Sequence, residues 1–96
     1  MLFALIGFYK PGAEPHIIDI RDEVSEYLGQ PFGQPKLAGA LRDDEGRRVG
    51  NMLLMEADTF EEAQKQLSHS PFHQHGFYER TEVVEYVIEV GRLTTT

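Results

Sequence analysis

Residues 51–57 (NMLLMEA) constrain this chain more than any other stretch, because an extended strand through them is apolar on both faces. Met52 and Leu54 point one way, and Leu53, Met55 and Ala57 point the other. A strand with one face in water alternates; a strand sheltered on both sides does not. This stretch therefore reads as a central strand of a sheet. Leu2–Tyr9 has the same character, with Leu2, Ala4, Ile6 and Phe8 set against Phe3, Leu5 and Tyr9. A chain of 96 residues builds one core, not two, so the partners of these strands must come from a short list of elements.

Those elements are legible. Asp58 or Thr59 offers a helix N-cap with Glu61 or Glu62 three residues on, the pattern of a capping box. Phe60, Ala63 and Leu67 then form one apolar stripe. Ser70-Pro71 ends this helix and caps a further short turn through Phe72 and His73, since proline cannot continue a helix but suits its first position. Upstream, Pro11-Gly12 marks a loop, and Pro15 opens a helix whose stripe is Ile17, Ile20, Val24 and Tyr27/Leu28, with Gly29 as its stop. Residues 30–35 read as a Pro/Gly loop. Residues 36–42 (KLAGALR) form a second strand, in which the small Ala38, Gly39 and Ala40 leave room for a neighbouring backbone or a ligand. Residues 43–46 (DDEG) form a hairpin turn with Gly46 where positive φ is needed. Residues 82–90 read as the last strand, with Val84, Tyr86, Ile88 and Val90 on one face.

The order β-α-β-β-α-β is the α+β, ferredoxin-like split βαβ pattern: an antiparallel four-stranded sheet with two helices on one face. The whole chain, residues 1–96, forms a single domain with a frayed tail at 92–96. Two helices cover one face of such a sheet, and no third layer remains for the other. The apolar second face predicts a homodimer packed sheet to sheet, burying roughly 1,600 Å² or more in total.

Composition narrows the partners. A net charge of −7 with scattered Lys and Arg argues against a nucleic-acid groove. The absence of cysteine removes disulfides and a thiol nucleophile, and fits a reducing, cytoplasmic location. The apolar N-terminus lacks a basic leader and is too short to span a bilayer, so no membrane partner is expected. There is no internal repeat and no low-complexity run.

Taken in order and spacing, several pieces resemble the YCII-related family of dimeric α+β barrel proteins over nearly the whole chain. They are Pro15-His16 opening the first helix, LAGAL (37–41), GRRVGNMLLMEA (46–57), FEEAQKQL (60–67), and Ser70-Pro71-Phe72 followed by Gly76-Phe77-Tyr78. The resemblance implies a ferredoxin-like fold, an obligate dimer, and a cleft where a His at the start of helix one meets an Asp before Pro-Phe. That His corresponds to His16. The Asp corresponds to Ser70, so any His–Asp dyad lacks its acidic member here.

The candidate catalytic residues are accordingly His16 and Ser70. His16 stands one turn before Ile20, which places it on or near the buried stripe, and the first helical turn favours a neutral imidazole able to act as a general base. Its structural alternative is a bond to a nearby backbone group. Ser70 reads first as an N-cap and second as a group that orients His16 or a substrate. Tyr9, Phe72, Phe77 and Tyr78 are candidate substrate-binding residues, with core packing as the competing role. His69, His73 and His75 invite a metal reading, but Pro71 interrupts the helical face that the first two would need, and surface loop histidines are the preferred reading over a metal site. Two functions follow: a cofactor-independent enzyme moving a proton on a small organic molecule (isomerase, lyase or dehydrochlorinase type), or a non-catalytic ligand-binding dimer. A cofactor-free monooxygenase is disfavoured by the absence of Trp and of an oxygen-handling signature.

Overall fold

A computed structural model describes residues 1–29 and 35–93. Strands β1 (Leu2–Tyr9), β2 (Pro35–Arg42), β3 (Arg48–Glu56) and β4 (Tyr78–Glu85) form one sheet in the order β2-β3-β1-β4. Every neighbouring pair is antiparallel, as the ferredoxin-like pattern requires. The helices are α1 (Arg21–Leu28), α2 (Phe60–Ser68) and the short α3 (Pro71–Gln74). The two central strands are the two that the sequence marks as apolar on both faces.

The core lies between the sheet and the helices. Phe3, Leu5 and Met55 meet Ala63 and Leu67 of α2, and a second cluster joins Tyr9, Ala13, Ile20 and Phe72. Phe3 is wholly buried, and full burial of a side chain of its kind stabilises by about 1.5–3 kcal/mol. Helix α2 is capped as expected: Glu62 N–H donates to Thr59 Oγ1 (3.1 Å), and the Glu62 carboxylate accepts from Asp58 N–H (2.9 Å). Tyr27 OH donates to the Gln66 carbonyl (2.8 Å) and ties α1 to α2.

Two expectations need correction. The segment opened by Pro15 is not one α-helix: Glu14–Ile20 is a 3₁₀ helix that passes into α1 at Arg21. Ile17, Ile18 and Ile20 are β-branched and disfavour an α-helix. A 3₁₀ helix puts i and i+3 on one face. Ile17 and Ile20 therefore share the inner face, and His16 and Asp19 share an outer one. His16 is thus in water, its side chain 65% exposed, rather than on the buried stripe.

The last strand also begins and ends earlier than residues 82–90. Its partner β1 starts at Leu2, whose carbonyl accepts the last ladder bond from Tyr86 N–H (2.9 Å). Beyond it Val87 and Val90 are 67% and 95% exposed. The Pro/Gly loop and the threonine tail fall largely on residues 30–34 and 94–96, outside the described residues. No helix among the described residues is long and apolar enough to cross a membrane.

Candidate ligand pocket

The sheet is wider than its helical cover, and this mismatch makes the pocket. Helix α2 packs on β1 and β4, whereas the β2 wing is left open beneath α1. A cavity of 290 Å³ results, walled by Val24, Tyr27 and Leu28 of α1, by Ala38, Gly39 and Ala40 of β2, and by Leu5, Leu53 and Leu67. The three small residues of β2 keep that wing flat, which is the room their sequence promised. Ser70, Phe72, Asn51, Met52, Arg48 and Tyr78 complete the wall.

Two rings, Phe72 and Tyr78, form the end of the pocket, and a third, Tyr9, packs on both. Tyr9, Phe72 and Tyr78 stack on one another, with centroid separations of 5.7, 6.0 and 5.9 Å. Tyr78 reaches this position through a break in register between Phe8 and Tyr9: Phe8 pairs with Arg80 but Tyr9 pairs with Tyr78, leaving Glu79 extra. Such a bulge turns a side chain to the opposite face. Strict alternation would have put Tyr78 beside Arg80, on the face away from the helices. Gly7 completes the arrangement, since a Cβ there would overlap the ring carbons of Tyr78. The Tyr78 hydroxyl donates to Asn51 Oδ1 (2.5 Å). Burial pushes its pKa up to about 12, against the opposing pull of Ser70 and Asn51. Tyr9 and Tyr27 are raised as well, both chiefly by burial.

Arg48 is the cation of the site. Its Nε donates to Tyr9 OH (3.1 Å), and its guanidinium carbon lies 5.9 Å from the Tyr9 ring centre and 6.0 Å from that of Phe72. No Asp, Glu or His lines the pocket among the described residues.

Of the candidate residues, the structure gathers Tyr9, Ser70, Phe72 and Tyr78 in and around one cavity. Ser70 holds the N-cap position of α3, but its side chain makes no capping bond; it is buried and lines the pocket. Phe77 packs against the Tyr9–Phe72 cluster and tilts against His75. His16 does not line this cavity; its Nδ1 stands 3.5 Å from Asp19 Oδ2 at the surface. His75 Nε2 lies 2.9 Å from Glu23 Oε2, and His69 and His73 are exposed. Among the described residues no three His, Asp or Glu side chains converge as metal ligands would.

Sequence reasoning missed Arg48, Asn51, Tyr27 and Gly7. For Gly7 a signal existed, a glycine inside an apolar strand, which marks a close approach. For Arg48 there was only a pair of arginines after a turn.

Fold and pocket together define an α+β domain of the ferredoxin-like type with a ring-sized cavity under its first helix. The chain belongs to the YCII-related domain family, whose model matches residues 1–87. No curated protein sequence matches it. Among solved structures it is similar to the 5-chloro-2-hydroxyhydroquinone dehydrochlorinase TftG of Burkholderia phenoliruptrix AC1100, in complex with 2,5-dihydroxybenzoquinone. The identity is 24%, the TM-score is 0.77, and 91% of this chain and 94% of that one are covered. It is also similar to an uncharacterised NIPSNAP domain protein from Burkholderia xenovorans, at 19% identity and a TM-score of 0.53, covering 92% and 94% of the two chains.

Proposed function

We propose that this protein binds a small, flat organic molecule in the cavity beneath α1. The cavity itself carries the reading. An apolar space of about 150 Å³ admits benzene, so 290 Å³ has room for one substituted ring. Its walls are largely apolar, and a few polar groups (Ser70, Asn51, Tyr78 and Arg48) stand together, as in small-molecule sites generally. Binding without chemistry is the reading this geometry favours, because among the described residues no carboxylate or imidazole lines the cavity, and its tyrosines are raised above their ordinary value. A general base working near neutral pH needs a pKa in that range.

The second reading is proton transfer on a bound ring by His16 and Ser70. It draws on the likeness to a dehydrochlorinase and on Asp19, which stands beside His16 where Ser70 offers no acid. Calorimetry with 2,5-dihydroxybenzoquinone and a turnover assay with chlorinated hydroquinones separate the two. Under the binding reading, the quinone binds, His16→Ala leaves its affinity unchanged, and chloride is not released. Chloride release that His16→Ala abolishes would replace it with the enzyme reading.

We further propose that the protein works as a homodimer through the sheet face opposite the helices. Ala4 and Leu54 on that face are already buried within the single chain, but Ile6 and Met52 are only half-buried, and Leu37 and Val84 at its margins are 51% and 46% exposed. An apolar face of this extent favours burial against a second copy. Sedimentation equilibrium should give twice the chain mass; a monomer at micromolar concentration would refute the dimer.

A further inference from the structure

We infer that Arg48 selects the ligand's charge: the cavity takes a planar ring bearing an anionic oxygen group, in the first instance a carboxylate. The inference rests on the ligand-binding reading of this cavity and adds the chemical class of the ligand. A guanidinium carries five N–H donors in a rigid fork. That of Arg48 uses Nε on Tyr9 OH, and no carboxylate lies within ion-pair distance of it among the described residues. Glu14 accepts from the Arg48 backbone N–H (3.2 Å), not from its guanidinium, and lines an adjoining hollow with Ile17, Ile18 and Arg21, to which Arg48, Val24 and Phe72 also contribute. The outer edge of the fork is therefore open to a ligand in a partly buried setting.

Its orientation is fixed. The Nε bond and the flanking Tyr9 and Phe72 rings hold the guanidinium plane, so little side-chain freedom is lost when an anion docks. The fork matches a carboxylate with two parallel hydrogen bonds. The same cavity supplies apolar walls for the ring in Val24, Leu28 and Leu53. A protein of net charge −7 repels anions at long range, so a cation kept free of its own carboxylates beside an apolar cavity is a local exception with a use.

The test compares benzoate with its neutral isostere benzamide, by calorimetry and by chemical-shift changes at the methyl groups of Ala38, Ala40 and Leu53. On the native protein benzoate should bind more tightly by about tenfold or more, the usual worth of a charge-assisted bond. Arg48→Met should bring the ratio close to one. Arg48→Lys, which keeps the charge and loses the fork, should fall between and guards against a loss of fold in the first variant. Equal binding of the two probes to the native protein would overturn the charge selection and leave the ligand pocket standing. If neither probe moves the pocket methyl groups, the pocket reading falls and the anion site with it.

Discussion

Alkaline titration isolates Tyr78. In the unfolded chain its hydroxyl ionises near the ordinary value of 10.0, whereas burial in the fold pushes it up to about 12. The folded value lies above the unfolded one, so the stability contributed by the buried neutral hydroxyl is whole below pH 10. It is lost as the pH climbs from there toward the folded value, because the unfolded chain releases its proton first. Each tenfold weakening of the acid corresponds to about 1.4 kcal/mol, so the roughly hundredfold weakening at Tyr78 amounts to at most about 3 kcal/mol. Tyr9 and Tyr27 are raised by burial and push in the same direction. Urea unfolding followed by circular dichroism, repeated from about pH 9 to about pH 12, should show the midpoint falling steeply across this window. The protein has four tyrosines and no tryptophan, so near-ultraviolet absorbance follows tyrosinate formation without interference. Tyr78→Phe should start about 1 kcal/mol less stable at neutral pH, from the lost bond to Asn51, and should then lose less on the way up. If the native protein and Tyr78→Phe lose the same stability between pH 10 and 12, burial does not hold this hydroxyl neutral, and the packing ascribed to the pocket's end is wrong.

Other perturbations probe the remaining joints. Gly7→Ala forces a methyl group into the Tyr78 ring and should cost about 1–3 kcal/mol in chemical denaturation, together with any affinity of the cavity for ring compounds. Thr59→Ala removes the N-cap of α2 and should lower stability by about 1 kcal/mol, whereas Ser70→Ala, which removes no capping bond, should lower it by less. Gln66 is buried with its Oε1 unpartnered among the described residues, so Gln66→Met should raise the denaturation midpoint, by about 1 kcal/mol in stability.

The strands, the capped helix and the hairpin turn are written in local pattern. A short apolar run with no polar face, bounded by turn signals, reads as a sheltered strand, and Thr59 with Glu62 caps a helix wherever it sits. Asp43 and Gly46 likewise close their turn from within: Asp43 Oδ1 accepts from the backbone of Glu45 and Arg47, and Gly46 takes a φ of 80°. The small residues at 38–40 announced an opening, and the structure has it there. The pocket itself was less legible, because it depends on which elements meet. Tyr78 turns inward only because β4 bulges against β1, a property of two strands and not of either sequence. Arg48 becomes a pocket cation only when β3 brings it between Tyr9 and Phe72, residues far away along the chain. His16 faces outward because β-branched neighbours tighten its helix to three residues per turn and rotate it away from the sheet. Sequence by itself determined the elements and their order, since each is stabilised by bonds and burial within a few residues. The tertiary structure alone decided which side chains share a cavity, since that is set by register, bulge and helix rotation between segments that local pattern does not relate.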